Sequence, residues 1–148
     1  PRQFGDIRII WINRRERLGK IFAIDAECPA AGRAAFDVRL RGAPHPGAEL
    51  VVVLGTWCGD SRREVSRFVK ALDLAGPVPF AVRWIGVDRD KRAEGFDAAK
   101  LGVRYVPTFI VSREGKELGR VVETSPDGIE RDVGALLRGE KTGVLSVK

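Results

Sequence analysis

Methionine is missing from all 148 residues, the first position included, where Pro1 stands. Removal of a leader, a tag or a membrane anchor ahead of Pro1 is the expectation this raises. Cysteine is scarce: two residues, Cys28 and Cys58, exclude a disulfide scaffold in a chain this long. The one histidine, His45, stands between Pro44 and Pro46 with no cysteine or acid at ligand spacing, so no metal site is expected. Long apolar runs are lacking too. The longest covers residues 50–54, against the ~18 residues of a membrane span. Internal repeats, low-complexity segments and dividing linkers are not seen.

What remains is an ordinary globular composition, 44% hydrophobic and 31% charged. The length suits one domain with a core of its own. The net charge is +6. The basic residues are dispersed among acids, and the clusters Arg14, Arg15, Arg17 and Arg62, Arg63, Arg67 are small. A solvated face is the favoured reading of them, and nucleic acid is not an expected partner.

Hydrophobic periodicity gives the organisation. Residues 4–12 carry a weak strand pattern that also fits helical spacing. A capping box at Asn13 and Glu16 predicts a helix over about 14–26, ended by Pro29. Phe36, Val38 and Leu40 alternate with charged residues as in a half-buried strand. After a Gly- and Pro-rich loop, residues 49–54 form a β-branched strand expected to be covered on both faces. A helix is predicted over 61–75, with Val65, Phe68, Val69 and Leu72 on its apolar side. Further expectations are a strand over 80–87, a short helix over 93–101, a strand over 108–112, a hairpin turn at 113–116, a returning strand over 117–123 and a last helix over 127–137. The first crossover makes its two strands parallel and the hairpin makes the last two antiparallel. The expected product is a mixed sheet flanked by helices on both faces.

Cys58 falls between the buried strand and the helix, in Thr56-Trp57-Cys58-Gly59-Asp60-Ser61. A helix N-terminus offers unsatisfied N–H groups and the positive end of a dipole, and both favour the nucleophilic thiolate. Gly59 leaves room for a partner to approach the sulfur, Trp57 offers a flat apolar surface, and the Ser61 hydroxyl is within reach. Arg62 and Arg63 favour the thiolate, whereas Asp60 opposes it. An inert buried cysteine is the competing reading. A second signal is Tyr105-Val106-Pro107-Thr108-Phe109. A proline at the mouth of an apolar strand makes sense if the Val106–Pro107 bond is cis and leaves Val106 to pair with an extended peptide. Asp88, Asp90 and Asp97 read as caps and solvent contacts.

Together these segments resemble the thioredoxin superfamily. Residues 51–54 with Thr56-Trp57-Cys58-Gly59 look like its active-site strand and turn. Ile85-Gly86-Val87-Asp88 looks like an intervening strand end. Residues 101–111 with Glu114-Gly115-Lys116 look like its cis-proline strand and hairpin. The resemblance covers about residues 36–138. It implies an α/β protein, a thioredoxin-like three-layer α/β/α sandwich with a mixed central sheet. Residues 1–35 would be an N-terminal extension packed on a domain of residues 36–148.

Two departures shape the functional expectation. The family's second active-site cysteine is here Ser61, and its buried acid six residues before the nucleophile is here Val52. A serine cannot release a mixed disulfide by attacking it. The resemblance therefore implies a monothiol thiol–disulfide oxidoreductase or isomerase-like protein. Cys58 and Ser61 are its catalytic residues, and Trp57, Gly59, Val106 and Pro107 bind substrate. Asp60 and Arg62 act as modulators. No cofactor is expected beyond glutathione or another external thiol as co-substrate, and the partner is a protein or peptide thiol or disulfide. The alternative is a redox-inactive binding or chaperone-like module of the same fold. Cys-Gly-Asp-Ser also looks like the cluster-binding site of monothiol glutaredoxins, but the Gly-Gly-rich glutathione loop of that family is absent. A serine at 61 is also what a trapping variant of a dithiol enzyme carries. Cys28 would serve as a resolving partner if its Cα lay within ~7 Å of that of Cys58; an unrelated thiol is favoured. Unpaired thiols point to the cytosol, but analogy with exported thioredoxin-like domains carrying N-terminal segments favours an exported, periplasmic-type location.

Overall fold

The computed structural model describes residues 47–75, 78 and 80–147. The expected helix at 14–26, the strand at 36–40, the N-terminal extension, Cys28 and His45 lie outside the described residues. The elements run β1 (Ala48–Leu54), α1 (Gly59–Ala75), β2 (Ala81–Gly86), β3 (Thr108–Arg113), β4 (Lys116–Val122), α2 (Ile129–Leu137) and β5 (Gly143–Leu145). The sheet order is β2-β1-β3-β4-β5. β1 pairs parallel with β2 and antiparallel with β3, β3 antiparallel with β4, and β4 parallel with β5.

β1 is an interior strand, and its unbroken run of Leu and Val follows from being covered on both faces. Alternate residues point to opposite sides. Leu50, Val52 and Leu54 enter one core with Val65, Phe68 and Leu72 of α1 and Ile129, Val133 and Leu136 of α2. Phe68 ties that core together. It meets Phe109 edge-on at a centroid distance of 5.5 Å and Trp84 at 6.3 Å. Val51 and Val53 enter a second core with Ile85, Val87, Val103, Val106 and Ile110.

Both described helices pack on the first face. The expected helix over 93–101 is instead a run of turns with one isolated bridge between Ala93 and Phe96. Short acidic side chains divert the backbone donors that a helix needs. Asp88 Oδ1 accepts from the N–H groups of Asp90 and Arg92, and Asp97 Oδ1 accepts from that of Ala99. Among the described residues the second outer layer is therefore this turn-rich crossover, held down by Phe96, Ala98 and Leu101.

α1 begins two residues before the expected Ser61. α2 begins at Ile129, two residues after the expected 127, behind an N-cap Gly128 that makes no side-chain cap bond. In place of a side-chain cap, the buried carboxylate of Asp132 gathers the loop ahead of the helix. It accepts from Ser125 Oγ, from the Asp127 N–H at 3.1 Å and from Lys141 Nζ at 2.6 Å. β5 was not expected, because three residues carry no periodicity. It lies against Gly119 of β4, where a Cβ would stand 2.7 Å from the Gly143 carbonyl oxygen and 2.5 Å from a Leu136 methyl. Gly119→Ala is expected to destabilise the domain by about 1–3 kcal/mol, since the clash includes backbone that cannot yield. Urea unfolding measures this, and an unchanged midpoint would contradict the packing.

Glu64 is the one buried carboxylate with an orphan atom among the described residues. It is 2% exposed; Oε1 accepts from Arg63 Nε at 3.1 Å, while Oε2 has no partner. Burial pushes its carboxyl above the ordinary value of 4.5 against the pull of Arg63 and Arg67, and Glu130 adds to the rise. A raised folded value means that the folded state holds this proton more tightly than the unfolded chain. Glu64 thus contributes stability that is full below 4.5 and lost as pH rises through the folded value. Melting curves across that window should show wild type losing ground to Glu64→Gln as pH increases; a constant difference would refute the assignment.

Candidate functional site

β1 ends at Leu54, and the chain turns through residues 55–58 before α1. The Cys58 N–H donates to the Gly55 carbonyl and the Arg62 N–H donates to the Cys58 carbonyl, both at 3.0 Å. Cys58 is thereby the residue whose carbonyl receives a first-turn helix bond, directly ahead of Gly59. The Ser61 hydroxyl, 1% exposed, accepts from the Gly55 N–H at 3.1 Å. Its job in the fold is to close the turn, and a bond of this kind contributes about 0.5–1.5 kcal/mol.

The Cys58 sulfur is half-buried and donates to the Val106 carbonyl at 3.3 Å. Val106 is buried, and the Val106–Pro107 peptide bond is cis. Two segments separated by 48 residues are thus in contact. β1 and β3 bring them together, because Val53 pairs with Thr108 at the same end of the sheet. Around this junction, Thr108 Oγ1 donates to the Tyr105 carbonyl at 2.6 Å and the Glu123 N–H donates to the Pro107 carbonyl at 2.8 Å. Tyr105 itself is 56% exposed.

Trp57 is half-buried, and its indole N–H donates to the Val87 carbonyl at 3.1 Å. Arg89, from the loop after β2, lies with its Cζ 5.3 Å from the Trp57 ring centroid. A cation–indole contact of this kind, made by an exposed arginine, contributes roughly 0.5–1 kcal/mol. Nothing in the sequence pointed to Arg89. Its place beside residue 57 follows only from the parallel β1–β2 pairing, which carries both strand ends to the same edge.

The other predicted residues divide by partner. Gly59 is exposed beside the sulfur. Asp60 is bridged to Arg63 at 2.9 Å, and Arg63 also reaches Thr124 Oγ1 at 2.9 Å. Desolvation works against the charge on Arg63, but the hydrogen bonds it donates to Glu64 and Asp60 outweigh it and hold the guanidinium above its ordinary value. Arg62 Nε donates to the Thr56 carbonyl at 2.9 Å. The structure therefore brings Cys58, Trp57, Gly59, Val106 and Pro107 to one place. Among the described residues, the hydrogen bonds of Cys58 and Ser61 run to Val106 and Gly55 rather than to each other. No group of three or more potential metal ligands occurs among the described residues, and no helix there is long and apolar enough to cross a membrane.

No family model matches the chain. Thioredoxin Asp f 29 of Aspergillus fumigatus is 30% identical over 89 residues, which covers 60% of this chain and 77% of that protein. Thioredoxin H2-2 of Oryza sativa subsp. japonica is 37% identical over 78 residues, covering 53% of this chain and 54% of that protein. The chain thus spans about half the length of the rice relative. Among solved structures, Fasciola hepatica thioredoxin is similar at a TM-score of 0.45 and 24% identity, over 61% of this chain and 81% of that one. The short form of spinach chloroplast thioredoxin F is similar at 0.49 and 18%, over 63% and 79%. With its mixed sheet and strand-end cysteine, the chain belongs to the thioredoxin superfamily, whose fold is that of thiol–disulfide oxidoreductases.

Gly55 shows how tightly the site is packed. A Cβ there would stand 2.6–2.9 Å from three atoms of the Trp57 indole. Gly55→Ala is expected to push the indole off the Val87 carbonyl and to cost about 1–3 kcal/mol. Loss of the Trp57–Val87 hydrogen bond, followed by indole N–H exchange, is the check; an unaltered exchange rate would show that the ring is not wedged there.

Proposed function

We propose that this protein carries out single-cysteine thiol–disulfide exchange at Cys58. The observation supporting this reading is the position of the sulfur: at the start of α1, half-exposed and 3.3 Å from the carbonyl that precedes Pro107. A strand-like peptide laid beside Val106 would present its disulfide to that sulfur, with Trp57 and Gly59 as the adjoining surface. The Cys58 thiolate attacks one sulfur of the disulfide. A new S–S bond forms between Cys58 and the substrate, the old one breaks, and the leaving thiolate takes up the proton that Cys58 gave to solvent. The step conserves electrons between the two sulfur pairs.

Release is the step that distinguishes this chain. The position of a second attacking sulfur is Ser61, which is buried and bonded to Gly55. The mixed disulfide therefore persists until an outside thiol, of the glutathione or protein-thiol class, attacks it. Protein or peptide disulfides are the proposed substrates, with no resident cofactor. A redox-inactive docking module would keep the surface around Cys58 but form no covalent adduct, so the same measurement separates the two.

The test uses the chain with Cys28→Ser, so that Cys58 is the only thiol. Incubation with a small peptide disulfide should add one peptide by mass at Cys58. The adduct should remain until glutathione is supplied, and Cys58→Ser should abolish it. Ser61→Cys should convert the trap into a protein that sheds the peptide unaided, at least ~10-fold faster than the serine form, because an intramolecular thiol competes at high effective concentration. Absence of an adduct, or spontaneous release with Ser61 in place, would overturn the proposal.

A further inference from the structure

Two guanidinium groups are anchored on the residues just ahead of Cys58, and neither is neutralised by a carboxylate among the described residues. Arg62 is tethered through Nε to the carbonyl of Thr56, and Arg89 rests on the ring of Trp57. Both anchors, Thr56 and Trp57, are the residues just ahead of the cysteine, so both guanidinium groups are tied to the segment that carries it rather than swinging free. Neither has a carboxylate partner among the described residues, and each side chain is exposed. Many other cations of the domain are differently placed. Arg63 is taken by Asp60 and Glu64, Arg120 by Glu117, Arg138 by Glu140 and Lys141 by Asp127 and Asp132. Asp60, two residues after the cysteine, is itself engaged by Arg63. Arg104 is exposed two residues ahead of Val106, also without an ion-pair partner among the described residues.

We infer that Arg62 and Arg89 select the substrate: Cys58 takes peptide disulfides whose cysteine is flanked by carboxylate side chains. This rests on the exchange reaction proposed above and adds its substrate class. A guanidinium presents N–H groups in a fork that fits a carboxylate with two bonds. With Nε of Arg62 committed to Thr56, its two terminal nitrogens remain to receive an acid one or two residues from the attacked sulfur. Arg89 is pre-oriented by stacking, which reduces the side-chain freedom lost on binding. Their joint field also draws an acidic peptide toward the sulfur and repels a basic one, an effect that salt weakens.

The experiment follows three short peptides in which the residues flanking one cysteine are Glu, Gln or Lys. Each cysteine is activated as its mixed disulfide with 2-thiopyridine. Attack by Cys58 forms the protein–peptide S–S bond and expels 2-thiopyridone, which carries off the thiol proton and is read by its absorbance. Each rate is divided by that of the same peptide with 2-mercaptoethanol, which removes intrinsic differences in reactivity. At low salt the Glu peptide should react about 10-fold faster than the Lys peptide, and at ~0.5 M salt the ratio should fall below about 2. In Arg62→Gln/Arg89→Gln the low-salt ratio should collapse to the same small value. Lys116→Gln removes one charge at the far end of the sheet, beyond Arg113, and should leave the ratio intact. Equal normalised rates for the three peptides would overturn the selection while leaving the exchange reaction standing. A preference that survives the double substitution, or that Lys116→Gln reduces as much, would assign it to overall charge and likewise overturn it. No thiopyridone from any peptide would sink the exchange reaction itself, and the selection with it.

Discussion

The antiparallel pairing of β1 with β3 is the constraint on which the site depends. It sets Val53 opposite Thr108 and so places the turn after β1 against the turn before β3. Without that pairing, Cys58 and Val106 are 48 positions apart; with it, the sulfur and the carbonyl are 3.3 Å apart. The register cannot slide. A shift by one residue would exchange Leu50, Val52 and Leu54, which face the helices, for Val51 and Val53, which face the crossover. The precision of the site is therefore inherited from two hydrophobic cores, and the loops around the cysteine need little stability of their own.

Around the sulfur nearly every polar group already has a structural task. Ser61 closes the turn, Asp60 is bridged to Arg63, the Thr56 carbonyl holds Arg62, and the Trp57 indole is fastened to Val87. Such a frame keeps the cysteine in place and leaves few groups for chemistry, which is why the proposed mechanism relies on one sulfur and an outside thiol. The buried acids of the α1–α2 side show the same economy with one exception. Asp132 is fully buried yet satisfied by Ser125, the Asp127 N–H and Lys141, whereas Glu64 keeps an orphan oxygen.

Much of the fold was legible because periodicity reports burial. The run of Val and Leu in β1, the 3–4 spacing of Val65, Phe68 and Leu72 in α1, and the Glu114–Gly115 turn between β3 and β4 all read directly. What failed did so for local reasons. Residues 93–101 carry enough apolar side chains for a helix, but Asp88 and Asp97 capture backbone donors and Gly95 takes a positive φ of 70°. Ser61 looks like a helix start, yet the helix begins at Gly59 because the turn before it folds back on Gly55. β5 is too short to announce itself, and its presence depends on the missing side chain of Gly119.

For the site, the linear chain determined which residues could matter. A cysteine between a buried strand and a helix, and a proline at the mouth of a later strand, are local features that propensity and spacing reveal. Only the tertiary structure decided which atoms meet. It gave the sulfur to the Val106 carbonyl, the Ser61 hydroxyl to a backbone N–H, and Arg89 to the face of Trp57. The physical reason is that hydrogen bonds and stacking act over a few ångströms. Which groups fall within that range is settled by how strands distant in the chain pair, and no local pattern encodes that pairing.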